Sequence, residues 1–403
     1  MTEDIKSIFQ EVQGLTESLT EEIIATRRHF HQYPELSWQE VKTSEMLVSQ
    51  LQDTGLECQN GICGTGMTAH LRGDSGGRTI AVRADMDALP INDAKDVPYA
   101  SRIPGAMHAC GHDCHMAVAL GVAKVLNQLS LPLPGNVKFI FQPCEEASPS
   151  GASELVKAGV MEGVDAILAF HVDPELPVGK IGLRKGLLTA HCTEFRLKIR
   201  GKSGHAARPH QAVDAIYLAN QVLMAIYDSV NQRSRPFVPA VLTVGKMIGG
   251  NKANVIADLV ELGGTIRTID DRSLAEITTD IERKVAALTS AAGGSYEIEY
   301  PVPVPSVKND ASLINMVADV TASLWSEDRI KHLDKVSMGG EDFSWYLKKA
   351  PGALMRLGTK KPAGEVTFLH SGNFDVDERA LPLGVVLMSM YILKYLLAER
   401  LPL

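Results

Sequence analysis

Residues 78–90 read RTIAVRADMDALP. The run from Thr79 to Ala84 is short and apolar, and it passes straight into Asp85 and Asp87 before Pro90 breaks it. A short apolar run closed by a turn signal is a strand of a buried sheet. Working outward, MAVALGVAKVLNQL (116–129) is helical and NVKFIFQPCEE (136–146) is a strand that ends in Glu145 and Glu146. VDAILAFHV (164–172) is a strand that ends at His171. Upstream, SLTEEIIATRRHFHQYPE (18–35) opens with a capping-box pattern, Ser18 with Glu21, and runs helically to Pro34. TSEMLVSQLQDTG (43–55) is a second helix, closed by Gly55. Strands alternating with helices predict an α/β fold with a mostly parallel, helix-covered sheet.

The pattern changes between 191 and 302. TEFRLKIR, AVDAIYLANQVLMAIYDSV, AVLTVGKMI, DLVELGGTIRT, RSLAEITTDIERKVAALTS and YEIEY follow in the order strand, helix, strand, strand, helix, strand. That order is ferredoxin-like. After PVPVP (301–305) the α/β pattern returns, with a helix at SLINMVADVTASLW, a strand at GALMRLG and a terminal helix. The chain therefore divides into an α/β domain, 1–190 and 303–403, and an inserted α+β domain, 191–302. No internal repeat or low-complexity tract occurs.

Composition narrows the function classes. The 403 residues are 45% hydrophobic and 22% charged, which is globular, and the net charge of -8 disfavours a nucleic-acid partner. The apolar stretch LPLGVVLMSMYIL stops at Lys394, short of the roughly 20 residues that a membrane span needs. It reads as a buried terminal helix. MTEDIKSIFQ lacks the apolar core of a signal peptide, and six cysteines are too sparse for a disulfide scaffold. A cytoplasmic protein is expected.

MHACGHDCH (107–115) holds three histidines, two cysteines and an aspartate in nine residues. By itself it could be a loop with incidental histidines and a buried thiol. Asp85, Asp87, Glu145, Glu146 and His171 all lie just past or at strand ends, and His370 in TFLHSGNFD follows the last strand. In an open parallel sheet those ends form one crevice. Imidazole, thiol and carboxylate converging there point to a metal site. There is no CxxC pair, and the mixed donors suit a catalytic site with open positions and two metals. In extended chain the neighbours Glu145 and Glu146 point to opposite sides. One can then bind metal while the other serves as general base. A thiol hydrolase pairing Cys110 with His112 or His115 is the rival chemistry, and it leaves Glu145, Glu146, His171 and His370 without a task. In the inserted domain, GKSGHAARPH (201–210) carries His205 and His210 on a loop open to either a structural or a functional reading. By pattern alone, Asn254 and Arg267 read as structural.

Ten stretches occur in order over nearly the whole chain: RRHFHQYPELSWQE, AVRADMDALP, MHACGHDCH, FIFQPCEE, AFHV, GKSGHAARPH, VLTVGKMIGGNKANVIAD, GGTIRT, MGGEDFSWY and FLHSGNFD. Together they resemble the aminoacylase and carboxypeptidase superfamily of metallo-amidohydrolases, in the branch of hippurate hydrolases, N-acyl-amino-acid deacylases and auxin-conjugate hydrolases. The resemblance implies that Cys110, His112, Glu146, His171 and His370 hold two divalent ions, zinc or manganese first and nickel or cobalt next. It implies Glu145 as general base and acid, with Asp87 supporting it. His205 becomes a catalytic and substrate contact, joined by Asn254 and Arg267. The inserted domain becomes a lid that builds a homodimer or dimer-based tetramer. Departures from the family pattern fall at Cys114, Cys144, Thr189 and Ala257, none of them a proposed ligand. The expected activity is hydrolysis of the amide bond of an N-acyl amino acid or related conjugate. The alternatives are a dipeptidase or carboxypeptidase, and an inactive conjugate-binding protein.

Overall fold

The structure, a computed structural model, describes residues 3–73, 77–233, 238–361 and 367–397. The chain forms two compact units. One comprises the chain up to Gly186, Lys308–Asp334 and the chain from Asp342 onward; the other comprises Leu187–Val307 and Lys335–Glu341.

In chain order the first unit begins with α1 (Glu3–Gln32), α2 (Val41–Gln52), β1 (Glu57–Ile62), β2 (Gly66–Leu71) and β3 (Thr79–Asp85). It continues with α3 (His112–Gln128), β4 (Asn136–Gln142), α4 (Gly151–Lys157), β5 (Ala166–Pro177) and β6 (Ile181–Leu183). The second unit supplies β7 (His191–Arg200), α5 (Ala215–Arg233), β8 (Ala240–Gly249), β9 (Leu259–Thr268), α6 (Asp271–Ala291) and β10 (Ser295–Glu299). The first unit resumes with α7 (Ala311–Leu324), β11 (Ile330–His332), β12 (Gly352–Lys360) and α8 (Ala380–Leu397).

The first unit's sheet runs β1-β2-β4-β3-β5-β12-β6-β11. Its centre, β4-β3-β5-β12, is parallel throughout. Both faces of these strands are covered, so Ile80, Val82, Phe139, Phe141, Ile167 and Leu168 are all buried. Each such side chain contributes roughly 1.5–3 kcal/mol when taken from water. α8 is long and apolar enough to cross a membrane by length and composition, yet 13 of its 18 residues are buried in this core. Tyr391 on α8 shares a hydrogen bond with Thr321 of α7. The helix expected to begin at Ser18 is instead the continuation of the 30-residue α1. Ser18 caps nothing there; its hydroxyl donates to the Leu15 carbonyl at 2.7 Å.

The second unit's sheet is antiparallel, in the order β8-β9-β7-β10. With α5 and α6 as crossovers this is the ferredoxin-like arrangement. Phe195, Leu197, Ile199, Val222, Ile266, Ile277 and Ile281 form its separate core. The unit's limits fall at Leu187 and Val307, outside the 191–302 read from sequence, and Lys335–Glu341 joins it. That late segment is bound by backbone pairing: the Ala190 amide donates to Ser337 O at 2.8 Å. No hydrophobic periodicity announces such a tie.

Candidate metal centre

The parallel strands deliver chemistry at one edge. Asp85 is the last residue of β3, in register with Gln142, the last of β4. The Met86 amide then donates to the Gln142 carbonyl at 2.9 Å, so the two exits are tied. Asp87 is buried immediately beyond. His171 lies on β5 opposite Arg356 of β12. The loop carrying Cys110 returns to this edge through a bridge between Leu89 and Met107 and enters α3 at His112. Gly111 caps α3 at φ +84, and a Cβ there would meet Val172 Cγ2 at 2.4 Å. Only glycine serves both demands. His370 sits at φ +61, and its amide donates to Ala109 O at 2.8 Å, binding a second chain segment to the ligand loop. A non-glycine residue in this region is strained, as residues at functional sites often are.

Candidate donor atoms fall into overlapping groups, each with its atoms within 4.8 Å of one another: Cys110, His112 and His171; Cys110, Glu146 and His370; His112, Glu145 and Glu146. His112 Nδ1 faces the Asp87 backbone carbonyl at 2.8 Å and its carboxylate Oδ1 at 3.2 Å. His171 Nδ1 faces the Val172 carbonyl at 2.7 Å. A ring nitrogen beside a carbonyl is the protonated one, so each Nε2 is left with its lone pair free. Nε2 of His112 and Oε1 of Glu146 are buried and make no hydrogen bond; His370 Nε2 is 3.2 Å from the latter. A buried imidazole nitrogen and a buried carboxylate oxygen, with the His370 ring and a thiol beside them, fit a cation that accepts electron pairs from all of them.

The electrostatics agree. Burial opposes a charged His112, but Asp85, Asp87 and Cys110 outweigh it and raise its proton affinity well above the ordinary imidazole. A site that strains to hold a positive charge suits a metal ion. Burial and then Glu146 push the Cys110 thiol well above its ordinary pKa. A free nucleophilic thiolate is therefore disfavoured, whereas a metal removes the proton outright. Cys110 Sγ stands 3.5 Å from His171 Nε2, a partner that the thiol-hydrolase reading did not include.

One sequence expectation is corrected. Glu145 and Glu146 lie in a bend after β4, not in extended chain, and Cys144 before them has φ +48. Both carboxylates accordingly reach the same neighbourhood as His112 instead of pointing to opposite sides.

Buried charge networks brace the ligands. His115 Nδ1 bonds Asp85 Oδ1 at 2.6 Å, and Asp85 pairs with Arg83, which also holds Asp342 at 2.9 Å. Asp113 pairs with fully buried Arg27 at 2.8 Å and with His31 at 2.6 Å, fastening α1 to the ligand loop. Sequence reading missed Arg27, His31, Ser37, Glu40 and Arg83. All are polar residues within stretches that read as ordinary helix, loop or strand; burial marks Arg27, His31, Glu40 and Arg83, and a hydrogen bond to Asp87 marks the half-buried Ser37.

In the second unit His205 is exposed and pairs with Val255 in a two-residue ladder, and the Ala206 amide donates to Asn254 O at 3.2 Å. These neighbouring segments bring His205 and Asn254 together. His210 is exposed on an adjacent turn. Arg267 is near the other end of β9, with Nη1 donating to Met338 O at 2.9 Å. It is not grouped with His205.

Residues 81–394 match the model of peptidase family M20/M25/M40. The chain is 41% identical over 291 residues to the N-acyl-L-amino acid amidohydrolase of Geobacillus stearothermophilus, covering 72% of this chain and 79% of that protein. It is 34% identical over 377 residues to thermostable carboxypeptidase 1 of Saccharolobus solfataricus, covering 93% and 95%. A Bacillus subtilis crystal structure, described as a dinuclear metal binding peptidase from the M20 family, superposes with TM-score 0.79 at 34% identity, covering 94% of this chain and 99% of that one.

Proposed function

The chain belongs to peptidase family M20/M25/M40, and from that premise we propose that it hydrolyses the amide bond of N-acyl amino acids or similar small conjugates with two divalent metal ions. The observation that carries this reading is the overlap of the donor groups around Cys110 and His112, with Glu145 beside them. Cys110, His112, Glu146, His171 and His370 hold the ions; the thiolate and imidazoles suit zinc, and the carboxylate suits manganese. The pair supplies Lewis acidity and lowers the pKa of water toward neutrality. Glu145 takes the proton of the attacking water and returns it to the leaving amine. Asp87 keeps His112 in the tautomer whose Nε2 faces the ions.

The second unit acts as a lid and dimerisation domain. His205 donates to the developing oxyanion of the partner's site, while Asn254 and Arg267 contact substrate. In support of a dimer, β8 is an edge strand among the described residues, and Tyr217 and Met224 of α5 are 65% and 67% exposed. An unpaired edge beside exposed apolar side chains is a surface that a second copy can cover.

The substrate class rests on the amidohydrolase relative, and the carboxypeptidase relative carries the alternative. Chelated protein should lose activity and regain it when about two ions per chain are restored. The reconstituted enzyme is then offered acetyl-, benzoyl- and indoleacetyl-amino acids and dipeptides. Faster turnover of peptides would favour the carboxypeptidase reading. Activity that survives chelation but not alkylation of Cys110 would favour thiol chemistry.

A further inference from the structure

Glu40 stands at the N-cap of α2, yet its side chain makes no cap hydrogen bond. That service falls to Glu35, whose carboxylate accepts from the Thr43 amide at 2.8 Å and the Thr43 hydroxyl at 2.9 Å. Glu40 is completely buried and reaches away from its helix. Its Oε1 accepts from the Cys144 amide at 2.9 Å and the Trp38 amide at 3.0 Å, and its Oε2 accepts from Thr65 Oγ1 at 2.7 Å. A buried carboxylate that abandons its own helix end for a distant backbone amide is there for what the amide holds.

That amide belongs to the residue before Glu145. On the other side, the Glu146 amide donates to Asp87 Oδ2 at 3.0 Å. The catalytic turn is thus gripped at both shoulders by carboxylates. One short loop sets both grips: Ser37 Oγ donates to Asp87 Oδ2 at 2.7 Å, and Trp38, strained at φ +64, donates to Glu40. The Trp38 indole also donates to Pro149 O at 3.2 Å, further along the same turn. Cys144 is itself at φ +48, a conformation that persists only where surrounding contacts hold it.

We propose that Glu40 is a positioning residue for hydrolysis, holding the Cys144–Glu146 turn so that the Glu145 carboxylate is presented to its proton-transfer partner. This rests on the reading of Glu145 as general base. Because the Glu146 amide is held by Asp87 and not by Glu40, Glu40 governs the base more than the metal.

The hydrogen-bond pattern picks the variants. Both backbone amides go to Oε1 and only the Thr65 hydroxyl goes to Oε2. Glu40→Gln can therefore keep every contact, its carbonyl accepting from the amides and its NH2 donating to Thr65. Glu40→Ala loses all of them. In the metal-loaded enzyme, Glu40→Ala should lower kcat per metal-loaded site by about 10–100-fold, the range for removing a supporting partner, with KM nearly unchanged. Hydrogen exchange at the Cys144 amide should quicken, and the limb of the pH–rate profile set by Glu145 should move. Glu40→Gln should restore slow exchange and most of kcat. Should Glu40→Ala fold poorly, Thr65→Val, which frees Oε2 alone, should give a smaller change of the same sign. Unchanged kcat per loaded site in Glu40→Ala or Thr65→Val, beside an inactive Glu145→Gln, overturns this role alone. An active Glu145→Gln overturns the reading on which it rests.

Discussion

The two units carry their chemistry in opposite ways. In the first, the buried candidate ligands are anchored by buried partners: His112 by Asp87, His171 by Val172 O, and the Cys110 loop by Asp113, Arg27 and the His370 amide, while the His370 ring itself is exposed and stands 3.2 Å from Glu146. In the second, His205 is exposed; a two-residue ladder ties its backbone, and its Nδ1 accepts from the Ala207 amide at 3.1 Å. Rigid support is what precise ion binding needs, since ligands misplaced by fractions of an ångström forfeit affinity. An exposed group on a small separate domain is suited to arrive after substrate and act in the transition state. On the proposed roles, the first unit supplies the ion ligands and the general base, and the second supplies the oxyanion donor.

The largest effect should come from the first unit. Glu145→Gln is expected to lower turnover by about 10²–10⁴-fold, the contribution of a positioned general base, while bound metal stays near that of the parent. Glu146→Gln should instead release metal. Metal analysis and steady-state kinetics on both variants check this. The reverse pattern, with the 145 variant losing metal and the 146 variant keeping it, would exchange the roles of the pair.

The next effect should come from the second unit. His205→Ala is expected to lower kcat by about 10²–10³-fold, the range for one oxyanion donor, with metal content unchanged. Mixing it with Glu145→Gln should restore activity if sites are shared, because one site of each heterodimer then keeps both residues. No recovery after demonstrated subunit exchange would show that His205 serves its own chain or no site at all, and the contrast between the units would lose its functional meaning.

What was legible in the sequence follows from the same contrast. The strand within 78–90 and the alternating elements of the second unit were readable because burial writes periodicity into sequence. The convergence of Cys110, His112, His171 and His370 was readable because such residue types rarely crowd strand ends without a task. The direction of the Glu145–Glu146 pair was not readable, since it depends on Cys144 adopting φ +48. Nor was Glu40, which stands at the N-cap of α2 while its carboxylate is used elsewhere. The attachment of Lys335–Glu341 to the second unit rests on backbone hydrogen bonds, which leave no mark on residue type.

The smallest expected effect compares one cysteine from each unit. Cys110 and Cys192 are both raised above the ordinary thiol pKa, chiefly by burial, with Glu146 adding to the shift at Cys110 and Arg267 opposing it at Cys192. Only Cys110 stands among candidate ligands. In metal-loaded protein its electron pair is committed, so iodoacetamide should react slowly and with little dependence on pH. In metal-free protein the thiol is free but protonated. Because its pKa is raised, the thiolate fraction, and with it the alkylation rate, should keep climbing as pH increases past the range where an ordinary cysteine levels off. Cys192 should follow a single profile in both forms. Peptide mapping of the alkylated protein, with folding of both forms checked by circular dichroism, separates the two sites. Equal rates at Cys110 with and without metal would remove the thiol from the ligand set and leave His112, Glu146, His171 and His370 to hold the ions without it.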